Sequence, residues 1–152
     1  MSFRLIDIFQ TIKIYRKIKL SDLNKKIFLA GHNGMVGRAI LKKLNEAGFS
    51  NLIVRSKSQL DLLNQGQVKS FFAETKPDMV IFAAARVGGI KANNEFPGEF
   101  IYENLMMQSN VIHSAHLVNT EKLLFLGSSC IYPKYAEQPI KENELLNGCL
   151  EP

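Results

Sequence analysis

The most explicit chemistry in the sequence lies in Gly31-His32-Asn33-Gly34-Met35-Val36-Gly37, three glycines at a G-x-x-G-x-x-G spacing. A short apolar run, Lys26–Ala30, precedes them. An amphipathic stretch follows, with Met35, Val36, Ile40, Leu41 and Leu44 at helical intervals. Glycines placed between a strand and a helix suit the pyrophosphate of a dinucleotide. The first permits a sharp turn, the second lets the backbone approach the phosphates, and the third lets helix and sheet pack closely. The unpaired N–H groups at the helix N-terminus then face the anion. His32 has two readings, a phosphate contact or a local backbone contact.

The end of the second strand candidate bears on which dinucleotide is bound. An acidic residue there accepts the ribose hydroxyls of NAD, whereas an Arg suits the 2′-phosphate of NADP. The sequence reads Val54-Arg55-Ser56-Lys57, with no acid, so NADP is the expected cofactor. The alternative is that Arg55 and Lys57 are merely solvated charges. Asp61 and Leu62, farther along the same edge, are a second candidate for the adenine end. His113 and His116 sit three residues apart on a helix candidate. With no Cys or carboxylate placed to complete a metal site, helix packing is the expected role.

These residues need elements to hold them. Lys26–Ala30 is a strand candidate, and the helix after the glycines stops at Gly48. Asn51–Val54 is a second strand and Leu60–Leu63 another. Asn64 caps a helix over 67–75, with Pro77 beyond its end. Met79–Ala85 is a continuous apolar run of the kind buried on both sheet faces. A long helix over Glu99–Val118 and one more buried strand over Lys122–Gly127 complete the pattern. Strands alternating with helices predict βαβ units and a parallel sheet, an α/β fold.

At 152 residues the chain is one domain's length, and 46% apolar with 22% charged residues argues against disorder. No apolar run is long enough to span a bilayer. Cys130 and Cys149 have neither zinc-ligand spacing nor the density of a disulfide scaffold, so a reducing, cytoplasmic setting is expected. The net charge of +5 does not signal nucleic acid. Seven of the 19 basic residues and two of the 14 acidic ones fall in residues 1–26, which leaves the body with 12 of each. The leader, residues 1–24, carries Leu5, Ile8, Ile12 and Tyr15 at helical spacing. It reads as a poorly ordered extension, a membrane-surface helix, a transit peptide or a partner-docking helix.

Three segments, GHNGMVG (31–37), AAARVGGIKANN (83–94) and LFLGSSCIYPK (124–134), resemble the extended short-chain dehydrogenase/reductases that act on nucleotide sugars. Within that family they are similar to the NADPH-dependent epimerase/reductases of GDP-4-keto-6-deoxy-D-mannose. The resemblance covers about residues 25–152 and implies a Rossmann-type doubly wound sheet, truncated before the C-terminal strands and the substrate domain. It implies that Gly31, Gly34 and Gly37 hold the pyrophosphate, and that Arg55 and Lys57 lie near the 2′-phosphate. Leu126, Gly127, Ser128 and Ser129 would line the nicotinamide end. Ser128 would hydrogen-bond the 4-keto oxygen and Cys130 would be an acid/base in epimerisation. These residue types suit that work, since a hydroxyl donates to a carbonyl gaining charge and a thiol exchanges a proton beside a ketone. Read without the family, Ser128 fits a backbone-bonding turn serine and Cys130 a small buried filler. Many relatives carry Arg where Asn33 stands, which leaves one fewer cation for the 2′-phosphate. The resemblance also implies a GDP-sugar substrate and a homodimer joined through the 99–118 helix, with Leu105, Met106, Met107 and Val111 in the interior or on that interface.

Reductases of this family use a Tyr-x-x-x-Lys pair for proton transfer. Here Tyr102 is followed four residues on by Met106, Tyr132 by Ala136 and Tyr135 by Pro139; Tyr15 and Lys19 have the spacing but precede the glycine turn. The expectation is therefore the cofactor-binding part of such an enzyme, inactive alone, with an exposed apolar sheet edge. Two other readings remain open. One is another nucleotide-sugar epimerase or dehydratase, and the other is a non-catalytic dinucleotide-binding module.

Overall fold

A computed structural model describes residues 20–151. The amphipathic pattern at residues 5–15 lies outside the described residues. The final five residues of the leader, Leu20–Asn24, form a 3-10 helix, and Leu23 packs on the core.

Four parallel strands form one sheet: β1 (Ile27–Ala30), β2 (Leu52–Ile53), β3 (Met79–Phe82) and β4 (Lys122–Phe125), in the order β2-β1-β3-β4. Helices cover both faces: α1 (Met35–Glu46), α2 (Gln65–Thr75), α3 (Ile90–Glu95) and α4 (Pro97–Leu117). Side chains alternate across a strand, so the apolar runs of β1 and β3 feed two cores. Phe28, Ala30, Val80 and Phe82 meet Val68, Phe71 and Phe72 of α2 and Val111 and Ala115 of α4. Ile27, Leu29 and Ile81 meet Ile40, Leu41 and Leu44 of α1 on the opposite face. This is the doubly wound α/β architecture expected.

Local signals set most boundaries. After Ala47 caps α1, Gly48 takes a φ of +87°, a conformation open to glycine at little cost. The Asn64 side chain accepts from Gln67 N at 3.0 Å and starts α2, which ends at Lys76 before the buried Pro77. The long helix begins at Pro97, two residues earlier than expected, because proline suits the first helical position, where an N–H has no partner anyway.

The structure departs from several expectations. Leu60–Leu63 is a turn and not a strand, for its backbone groups are taken elsewhere. Asp61 Oδ1 accepts from Leu63 N at 3.0 Å, Gln67 Oε1 accepts from Asp61 N, and buried Asn110 of α4 donates to Leu62 O at 2.9 Å. The strand over 79–85 ends at Phe82, although Ala83 N still donates to Ala30 O at 3.0 Å. Helix α3 was not anticipated; it spans only six residues between a glycine pair and Phe96.

At the opposite end of the sheet from the glycine turn, Lys25 bonds Glu121 and so ties the start of β1 to the start of β4. That hydrogen bond is the main reason the Lys25 amine is held above its ordinary value. Strand β4, expected to be buried and to run to Gly127, ends at Phe125 and exposes Leu124 and Phe125, because among the described residues its outer edge has no partner strand.

Candidate functional site

Strand β1 lies between β2 and β3, with α1 on one sheet face and α2 on the other. The carboxyl ends around such a switch point form the crevice where open α/β sheets take ligands. The Gly31–Gly37 turn follows β1, Val54–Lys57 follows β2, Ala83–Arg86 follows β3 and Leu126–Cys130 follows β4.

Within the turn the three glycines have different reasons. Gly31 has a φ of +86°, and a Cβ there would stand 2.5 Å from Ala83 O. A Cβ on Gly37 would meet Gly31 O at 2.1 Å. Chain packing alone excludes any other residue at these two positions. Gly34 is different. Its φ of −73° suits any residue, and a Cβ would stand 3.4 Å from Gly31 O, an ordinary contact. Chain packing therefore leaves position 34 open to a side chain. Gly34 caps α1 without a side-chain hydrogen bond, and the first amides of a helix have no intrahelical acceptor. Among the described residues the buried Nδ1 of half-buried His32 also finds no hydrogen-bond partner. The exposed Asn33 and Met35 and half-buried Val36 complete the turn. Such a cradle fits the phosphates of a dinucleotide, which press on backbone N–H groups and need no side chain at 34.

Past β2, Arg55 lies over the Phe71 ring and donates from Nη1 to Val54 O at 2.8 Å; Lys57 is exposed. Asp61 is engaged in its own turn and Leu62 is half-buried beside the first core. Past β4, Leu126 N donates to Phe82 O at 3.1 Å, which leads Gly127 and the residues after it out of the sheet. Ser128 Oγ accepts from Cys130 N at 3.1 Å, the backbone-bonding turn that its residue type allowed. Ser129 opens a short 3-10 helix. Cys130 is exposed, which removes the reading of it as a buried filler. His113 and His116 are also exposed, so neither serves helix packing. Among the described residues no group of three or more potential ligands could hold a metal ion. Nor is any described helix long and apolar enough to cross a membrane.

The sequence reading passed over Arg86 and Asn104. Asn104 of α4 bonds both backbone groups of Arg86, whose side chain pairs with Glu103 and lies 4.9 Å from the Phe100 ring centroid. The motif at 83–94 contains Arg86, but its partners are 14 or more residues away and no local spacing announces them.

A family model for the NAD dependent epimerase/dehydratase family matches residues 27–152. The chain belongs to that family. Among curated relatives, GDP-L-fucose synthase 1 of Arabidopsis thaliana is 58% identical over 133 residues, covering 88% of this chain and 41% of its own. GDP-L-fucose synthase of Escherichia coli is 54% identical over 128 residues, 84% of this chain and 40% of its own. The chain thus spans about two fifths of the length of these relatives. Among solved structures, the GDP-mannoheptose C4 reductase of Campylobacter jejuni with NADP bound superposes with a TM-score of 0.80 at 44% identity. The match covers 89% of this chain and 42% of that one.

Proposed function

We propose that residues 25–152 are the NADP-binding part of an epimerase/reductase that converts GDP-4-keto-6-deoxy-D-mannose to GDP-L-fucose. One observation carries the reading: Gly34, a glycine that the chain's own packing does not require, caps the helix that follows β1 at the switch point of the sheet. Support for the substrate class comes from relatives named GDP-L-fucose synthase, and support for NADP from a reductase solved with that cofactor.

In this reading Gly31, Gly34 and Gly37 cradle the pyrophosphate and the first amides of α1 bond it. Arg55 and Lys57 meet the adenosine 2′-phosphate, since neither carries an ion pair among the described residues. Asp61 and Leu62 border the adenine end, and Leu126 to Ser129 the nicotinamide end. NADPH, when bound, supplies the hydride. Ser128 uses an oxygen lone pair on Cys130 N, which leaves its O–H proton free to point at a carbonyl oxygen. The exposed Cys130 thiol exchanges a proton at the carbon beside that carbonyl. Helix α4 contributes a second surface. Ile101, Tyr102, Leu105 and Ile112 are exposed on it, and an apolar stripe of that kind suits a two-fold helix-to-helix dimer.

None of Tyr102, Tyr132 and Tyr135 has a Lys four residues on, so residues 20–151 supply no Tyr–Lys pair to protonate the reduced oxygen. In this reading the 152 residues bind NADPH but do not by themselves reduce the keto sugar. Calorimetric titration with NADPH and NADH, beside a turnover assay on GDP-4-keto-6-deoxy-D-mannose, tests this. Tighter binding of NADPH without turnover is expected. Folded protein that binds neither nucleotide overturns the reading, and turnover by the purified chain overturns its inactivity.

A further inference from the structure

We infer that Phe71 is a positioning residue for dinucleotide selectivity: its ring holds the Arg55 guanidinium at the carboxyl end of β2, where that cation meets the 2′-phosphate. The inference rests on the NADP reading above and adds to it a side chain that touches no cofactor.

Two contacts pin Arg55. Its guanidinium carbon stands 5.6 Å from the Phe71 ring centroid, and Nη1 donates to Val54 O at 2.8 Å. Phe71 is itself held. Its ring centroid lies 4.7 Å from that of Phe28 and 5.6 Å from that of Phe72, and it is buried at 9% exposure. A fixed core ring therefore supports a charged group that remains exposed at the surface.

The geometry of the guanidinium makes this useful. A ring engages the flat face of the group, while its five N–H donors point outward in the plane. Among the described residues only one of those donors is spent, on Val54 O, which leaves the others for a phosphate. An Arg at an exposed strand end otherwise spreads over many rotamers, and ordering it on binding weakens affinity. Support from Phe71 removes part of that loss before the ligand arrives. The effect belongs to the 2′-phosphate and not to the pyrophosphate, so it acts on selectivity between NADP and NAD.

The test titrates the 152-residue chain and four variants with NADP and with NAD. Arg55→Ala takes the affinity ratio toward one. Phe71→Leu weakens NADP binding about two- to five-fold and leaves NAD unchanged, whereas Phe71→Tyr keeps the parent ratio. Phe72→Leu, which alters the same core without touching Arg55, lowers stability and leaves the ratio alone. An unmoved ratio in Arg55→Ala overturns the NADP reading at this residue and the inference with it. A ratio that moves in Arg55→Ala but not in Phe71→Leu overturns the positioning role alone. A measurement on the parent chain needs no variant: ring current from Phe71 shifts the Arg55 δ-protons upfield of those of Arg38. Coincident shifts overturn the contact.

Discussion

Asn104 holds the backbone of Arg86 from both sides: its Oδ1 accepts from Arg86 N at 2.8 Å and its Nδ2 donates to Arg86 O at 3.0 Å. The same Nδ2 donates to Phe100 O within α4. One amide side chain thus satisfies a loop residue just beyond β3, where no sheet partner is available to it. Asn104→Ala leaves both Arg86 groups without these bonds in a partly buried setting. It is expected to lower stability by about 1–3 kcal/mol in guanidinium unfolding. A variant as stable as the parent shows that water replaces the clamp freely.

The glycine turn separates packing from binding. Gly37→Ala drives a Cβ to 2.1 Å from Gly31 O, and the chain should fail to reach the native fold by circular dichroism. Gly34→Val places its Cβ at an ordinary contact, so the chain still reaches the native fold, with stability lowered by about 1 kcal/mol for valine at the N-cap. Its NADPH affinity falls by at least about ten-fold, because the added side chain occupies the phosphate's approach. Normal NADPH affinity in Gly34→Val removes the dinucleotide from this turn.

Cys130 and Cys149 are both exposed and free, yet only Cys130 follows β4 at the proposed nicotinamide end. Both thiols should react with iodoacetamide in the native chain. NADPH should slow modification of Cys130 several-fold and leave Cys149 unaffected, as read by peptide mass spectrometry with time. Equal rates at Cys130 with and without nucleotide place the cofactor elsewhere.

The exposed stripe on α4 should associate. At micromolar concentration the parent sediments as a dimer, and Ile101→Glu with Leu105→Glu returns it to a monomer that still unfolds cooperatively, at a midpoint lowered by the lost association. Like charges brought together across a two-fold contact disfavour the pairing. A parent that sediments as a monomer at every concentration assigns the stripe another role.

What the residues determine by themselves is local. Glycine spacing, the Asn64 cap, the stop at Gly48 and the apolar runs of β1 and β3 each act through a few neighbouring residues, so the βαβ order and the glycine turn are legible in one dimension. Arg55 and Lys57 stand out as cations without an acid for the same reason. Tertiary structure decided the rest, because the deciding partners are far apart in sequence. Leu60–Leu63 has a strand's composition, but Asn110, 48 residues beyond Leu62, takes a carbonyl of that segment and helps hold it as a turn. Phe71 belongs to the core, yet only the packing of α2 against β1 brings its ring beneath Arg55. Apolar periodicity reports which face of an element is buried. It carries no information about which polar groups meet across the folded chain, and those meetings shape the crevice at the ends of the strands.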